Sequence, residues 1–207
     1  MTTIREPILH PVRIAELRPT QITIGRREVE LRRKYWRAMK KRKEERFFIT
    51  HMVPVIEGPK QRHYIIDHHH LALALMEEGL EEIFVLPVAR LDRLETDAFW
   101  TFLDNRGWLH PFDDKGRRRP YGDIPHSLRE MVDDPFRSLA GALRRAGGYA
   151  KDTTPFSEFL WADFLRHRMK RSKVKGDFTA ALREAVRLAR GQDADYLPGW
   201  CGSTDDA

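Results

Sequence analysis

The sequence predicts an α+β fold: a small mixed α/β domain followed by a helical C-terminal portion. Three observations predict it. Short apolar, β-branched runs such as "MVPVIEG" and "IFVLPVARL" crowd the first 92 residues, bounded by Gly, Pro and Asp. After Asp92 these runs give way to helical spacing anchored on Phe99, Trp100 and Phe102. The chain, at 207 residues, is long enough to bury most of its apolar side chains. The expected organisation is an α/β domain over 1–92, a helical region over 93–191 and a polar tail over 192–207.

Each element has a local reason. Residues 12–24 carry β-branched side chains around a proline and read as extended chain leading to a turn at Gly25. From Arg27 to about Arg46, Val29, Leu31, Tyr35, Trp36 and Met39 keep helical spacing, which predicts one long helix. Residues 52–58 and 62–67 flank "EGPKQ" and predict a strand pair joined by a Gly-Pro turn. A helix over 70–80 buries Leu71, Leu75 and its alanines and stops at Gly79; a strand over 83–91 follows. In the second half, "DDPFRSLAGALRRAGG" starts with Asp134 as N-cap and Pro135 at the first helical position, and ends at Gly147 and Gly148. Residues 154–170 place Phe156, Phe159, Leu160, Trp161 and Phe164 around much of a helix, the pattern of a helix packed into a core. A last helix runs from Asp177 to Gly191.

Composition excludes several function classes. The single Cys201 rules out an intramolecular disulfide framework and a Cys-rich zinc site. No apolar run approaches the roughly 20 residues of a membrane span, and "MTTIREPILHPVRIAEL" lacks the apolar stretch of a secretory signal. A cytoplasmic protein without membrane contact is expected. The formal charge of +6 suits an anionic partner. The densest basic run, 25–46, is interleaved with Glu28, Glu30, Glu44 and Glu45, so i, i+4 pairing makes it an ordinary solvated face as readily as a nucleic-acid patch.

The most unusual stretch is "YIIDHHHLALAL", which crowds Asp67, His68, His69 and His70 between a strand and a helix. Consecutive histidines rarely converge on one ion, because neighbours on a helix project about 100° apart and on a strand alternate faces. No metal site is expected there. A strand-to-helix junction does favour an anion, through backbone N–H groups and the positive end of the helix dipole. Asp67 can equally be a plain N-cap, with His68 facing solvent. These local readings stay open.

Three segments together, "RPTQITIGRREVELRRKYW", "VPVIEGPKQRHYIIDHHHLALAL" and "DDPFRSLAGALRRAGGYAKDTTPFSEFLWADFLR", closely resemble the ParB-like nuclease family, a branch of the ParB/sulfiredoxin superfamily, over about residues 12–170. The resemblance implies a ParB-type α/β domain with a helical portion after it, and a strand-to-helix turn that binds phosphate. That turn is similar to the Gly-Glu-Arg-Arg box of ParB proteins, the Gly-Cys-His-Arg turn of sulfiredoxins and the Asp-Gly-His-His-Arg of free serine kinases. Against the last of these, Asp67 takes the Asp position, His68 the Gly, His69 and His70 the two His, and Leu71 the Arg. Leu71 removes a guanidinium that would clamp phosphate, and His68 removes the backbone freedom of glycine.

The resemblance also draws attention to Gly25 and Glu28, with Glu28 rather than Glu30 as the acid near a substrate hydroxyl and Lys34 within reach of the same cleft. In the helical half it brings in Asp133, Asp134, Arg137 and Ser138; Arg137, in a first helical turn where it opposes the dipole, is expected to meet an anion or a carboxylate such as Glu158. Asp163 is a second carboxylate in that aromatic helix. The expected site is thus Asp67 and Glu28 as catalytic acids or bases, with His68, His69, His70, Gly25, Arg137 and Glu158 binding ligand. Mg²⁺ with a nucleotide is the expected cofactor and no transition metal. The leading function is an enzyme that acts on a small phosphorylated ligand or moves phosphate to a small hydroxyl. DNA binding or cleavage is the alternative, although no helix-turn-helix pair is evident; a small-ligand sensor without catalysis is the third.

Overall fold

A computed structural model describes residues 10–39 and 44–202. Strands β1 (His10–Arg13), β2 (Arg18–Pro19) and β3 (Thr23–Ile24) precede helices α1 (Arg26–Ala38) and α2 (Glu44–Thr50). Then come β4 (Val53–Gly58), β5 (Arg62–Ile65), α3 (His69–Glu77), β6 (Glu82–Arg90) and α4 (Thr96–Asn105). The remainder is β7 (Val132–Asp133), α5 (Pro135–Arg145), α6 (Ser157–Arg168), α7 (Arg171–Gly176) and α8 (Phe178–Ala189). Among the described residues no helix is long and apolar enough to cross a membrane.

The long helix expected over 27–46 ends at Ala38; residues 40–43 lie outside the described residues, and α2 is a separate helix. The helix expected over 154–170 runs only from Ser157 to Arg168, because Phe156 takes a left-handed backbone (φ 59°) just before it.

Contact density divides the described residues into two compact units. The first holds the residues up to Ile22, Val29–Pro111 and Pro120–Met131; the second holds Thr23–Glu28, Phe112–Arg119 and the residues from Val132 onward. This differs from a single cut at Asp92. Helix α4 belongs with the sheet because Phe99 packs on Tyr64, ring centroids 4.6 Å apart, in a cluster with Ile56 and Leu103.

In the first unit a mixed five-stranded sheet has the order β1-β6-β4-β5-β2. β4 pairs antiparallel with β5 and parallel with β6, and β2 lies parallel to β5. A register shift at Val55/Ile56 moves the buried positions of β4 from Val53 and Val55 to Ile56 and Gly58. Gly58 is required by packing, since a Cβ there would stand 2.6 Å from the Tyr64 ring and 2.7 Å from Phe99. At the far end of α3, Glu78 receives Arg33 Nε and Arg37 Nε, each at 2.6 Å, and these two guanidinium hydrogen bonds draw its carboxyl down to about 2.

In the second unit α5 is buried from Pro135 through Leu143, and Trp161 of α6 is fully enclosed, stacked on Tyr149 at 4.4 Å. Asp134 is the expected N-cap of α5: its Oδ1 accepts from Phe136 N at 3.0 Å. The short parallel pair β3–β7 brings Ile24 beside Asp133, and Asp134 N donates to Ile24 O at 2.8 Å. From there the segment Gly25–Glu28 lies against α5. Arg26 N donates to Asp133 Oδ1 at 3.0 Å and Arg27 N to Ser138 Oγ at 3.2 Å, while Arg145 grips both carboxylate oxygens of Glu28 at 2.5 and 2.6 Å.

Two glycines make that approach possible. A Cβ on Gly25 would come within 2.9 Å of the Ser138 backbone, and one on Gly141 would come within 2.8 Å of the Glu28 carboxyl carbon. Gly141→Ala is therefore expected to cost about 1–3 kcal/mol through overpacking, read as a lower thermal midpoint. Combining it with Glu28→Ala removes the group it collides with, so the double variant should lose less than the two single losses added together. Strict additivity would show that Glu28 does not rest on Gly141.

Candidate functional site

The Asp67–His70 turn belongs to the first unit and is shaped by its backbone. β5 ends at Ile65, and three residues later His68 sits in the left-handed region (φ 65°, ψ 21°) as N-cap of α3. Outside glycine, this conformation is uncommon, although histidine tolerates it better than β-branched residues. The glycine of the Asp-Gly-His-His-Arg pattern aligns here, so His68 adopts the conformation that glycine would take.

Asp67 is not the helix cap that its position suggested. Its Oδ1 accepts from the adjacent His68 N at 2.6 Å, and His68, the actual N-cap, makes no side-chain capping bond. The left-handed residue puts a bend between the carboxylate and the helix N2 and N3 positions that a capping side chain would reach. Asp67 is consequently exposed, beside the first turn of α3 and the positive end of its dipole.

The three histidines take separate roles. His69 is buried, and its Nε2 accepts from Thr20 N at 3.3 Å. Thr20 in turn donates from Oγ1 to Ile65 O at 2.8 Å, so it links the loop after β2, the end of β5 and the start of α3. His70 is half-buried. His68 is half-buried as well, and its Nδ1 is enclosed without a hydrogen bond of normal geometry, although the Met52 backbone is near enough to favour its charged form slightly. Burial dominates and holds the His68 imidazole below its usual range. Among the described residues no group of His, Cys, Asp or Glu is arranged to hold a metal ion.

The other expected site residues have surroundings of their own. Gly25 and Glu28 are part of the second unit, where Glu28 is an ion pair with Arg145 on the surface of α5. Glu30, in the first unit, pairs with Arg33, and Lys34 is exposed on α1. Arg137 is an interior residue, 4% exposed, with its guanidinium carbon 3.2 Å from the centre of the Phe159 ring. Its Nε and Nη1 have no hydrogen-bond partner, and burial draws it down to about 10 despite the nearby Glu158 and Asp134. Glu158 itself pairs with Arg144, and Asp163 pairs with Arg166, which also reaches Asp134.

Sequence reasoning missed Thr20, the backbone partner of His69, and Gln21, also buried. The signal was present: two polar residues stand between Pro19 and the apolar "ITI" run, where a strand edge would bury them. Arg145 and Gly141 were missed for a different reason, because nothing local to α5 marks which distant residue they serve.

The fold and these motifs agree with comparisons to known proteins. No curated protein matches the chain. Among solved structures, the crystal structure of protein Atu1540 from Agrobacterium tumefaciens is similar, with 52% identity, a TM-score of 0.88 and coverage of 95% of this chain and 99% of that one. The family model described as "Putative ParB-like nuclease" matches residues 10–167, which take in the Asp67–His70 turn, the Gly25–Glu28 segment and α5 with most of α6. The chain therefore belongs to the ParB-like nuclease family.

Proposed function

We propose that the protein binds a phosphate-bearing small molecule of the nucleotide class at the Asp67–His70 turn and acts there on a hydroxyl. The observation that carries this reading is the left-handed His68, which leaves Asp67 exposed next to the start of α3 instead of capping it. Phosphate oxygens would meet the first turn of α3, with His68 and His70 as donors, and Asp67 would orient or deprotonate the acceptor hydroxyl. Asp67 is also a hard oxygen donor of the kind that holds Mg²⁺ through a bound nucleotide. His69 serves by position, because its bond to Thr20 fixes the turn. Glu28 is given no role in this reading, because Arg145 occupies both of its oxygens.

A second reading rests on a different surface. Arg168, Lys170, Lys173, Lys175, Arg183, Arg187 and Arg190 are exposed along α6–α8, and among the described residues only Asp193 and Glu184 oppose them in ion pairs. Such a surface fits a nucleic-acid backbone, in keeping with the family's description. If it binds duplex DNA, anisotropy should fall steeply with salt, and Lys173→Ala with Lys175→Ala should reduce the salt slope by about 1 per lost phosphate contact. Flat anisotropy at low salt removes this reading.

For the small-ligand reading, calorimetry with ATP, ADP and CTP in the presence of Mg²⁺ should give saturable binding to at least one. His70→Ala should weaken it, and Asp67→Asn should preserve binding while abolishing turnover. Binding without turnover in the unaltered protein would identify a sensor, and no heat across the panel would end the phosphate reading.

The His68 imidazole supplies a pH signature. Burial lowers its folded value, so below about 6.5, the usual histidine value, the unfolded chain takes up a proton that the folded chain resists. Its contribution to stability is complete above that value and declines as pH falls toward the lowered one. The thermal midpoint of the unaltered protein should thus drop more between pH 7 and 5.5 than that of His68→Gln. A bound phosphate offers counter-charge to the imidazolium, so MgATP should shrink that difference. Equal pH slopes in the two proteins would show that His68 titrates as in solution.

A further inference from the structure

A cavity lies at the opposite end of β5 from the Asp67 turn, in the same unit. Glu57 of β4 stands directly opposite His63 of β5 and Arg90 of β6. Directly paired residues project from one face of a sheet, so an imidazole, a carboxylate and a guanidinium lie side by side across three strands. Arg90 Nε is 2.8 Å from Glu57 Oε2, which orients the guanidinium and leaves its terminal nitrogens available. The turn Leu91–Leu94 and the side chain of Gln61 complete a cavity of about 670 Å³.

The backbone beside this cavity is strained. Lys60 and Gln61 are consecutive left-handed residues, with φ of 59° and 53°, in a turn where glycine or asparagine would adopt the same conformation at little cost. Gln61 lines the cavity. Arg93 also lines the cavity and makes no side-chain hydrogen bond or ion pair with any described residue.

We propose that this cavity binds a small carboxylate-bearing molecule with a short apolar stem. Arg90 and Arg93 would hold the carboxylate, Gln61 would add a hydrogen bond, and Leu91 and Leu94 would cover the stem. A guanidinium already oriented by a neighbouring acid presents the planar fork that a carboxylate matches. Glu57 and Asp92 lie in the same cavity and repel a dianion, which sets a singly charged carboxylate ahead of phosphate. The site is independent of the phosphate turn.

Amide chemical shifts of the full chain can test both sites at once, with 4-methylpentanoate and inorganic phosphate as probes. The carboxylate should shift residues 57–63 and 90–94 in a saturable way and leave 67–71 unmoved. Arg90→Gln with Arg93→Gln should weaken it at least tenfold, whereas Asp92→Asn should tighten it. The exposed positions of Arg90, Asp92 and Arg93 leave the fold intact, checked by unchanged shifts elsewhere. The proposal is overturned if 4-methylpentanoate moves nothing in 57–63 and 90–94, if the double variant binds as before, or if phosphate binds there as tightly. Phosphate shifts at 67–71 bear only on the other site.

Discussion

The helical unit depends on one approach of backbone to helix. Gly25–Glu28 can lie on α5 only because Gly25 faces Ser138 and Gly141 faces the Glu28 carboxylate without a Cβ on either. Once that contact is made, the polar groups find partners in sequence: two backbone N–H groups from Arg26 and Arg27, the β3–β7 pair, and the fork of Arg145. The family resemblance draws attention to Glu28 as an acid, whereas its neighbours in the chain read as a solvated charged face. In space it is half of a two-pronged ion pair with little exposure, and the two glycines of this contact are matched to that arrangement.

Buried charge in the same unit follows a related logic. Asp134 is almost wholly enclosed, and burial pushes its carboxyl up, yet Phe136 N and Arg166 both favour its ionised form. Arg137 is likewise enclosed and has fewer direct bonds. The face of Phe159 and the fields of Glu158 and Asp134 offset part of its lost hydration, so it remains a cation at neutral pH even though burial lowers it. Tyr149 is pushed well above the usual phenol range, first by burial and next by Glu158, which keeps its hydroxyl protonated as a donor to Ala140 O. These groups hold α5 and α6 in a defined register, because leaving any one of them unpaired in the interior is costly.

In the α/β unit the corresponding device is conformational. A left-handed residue ends the extended chain at β5 and starts α3 without a capping side chain, which separates the functions of neighbouring residues: Asp67 outward, His69 inward onto Thr20, His68 between. The crowding of the four polar residues is thus a consequence of a sharp change of direction, where consecutive side chains are sent to different surroundings. A straight strand or helix would have distributed them by a fixed period, and could not have placed a buried imidazole next to an exposed carboxylate with an intermediate one in the middle.

Sequence alone determined the elements whose cause is local. The β4–β5 pair, the stop of α3 at Gly79, the capping of α5 by Asp134 and Pro135, and the burial of Trp161 all follow from periodicity, turn chemistry and caps, and the motifs carried the family. Local reasoning erred at the end of α1, which stops at Ala38, and at Phe156, where a left-handed residue interrupts the helical pattern. The partnerships were decided by tertiary structure only: Glu28 with Arg145, His69 with Thr20, Glu57 with His63 and Arg90. Each joins residues distant in sequence or set by strand register, and a side chain's chemistry states what it can bond, whereas only the fold brings one of many equivalent partners within reach.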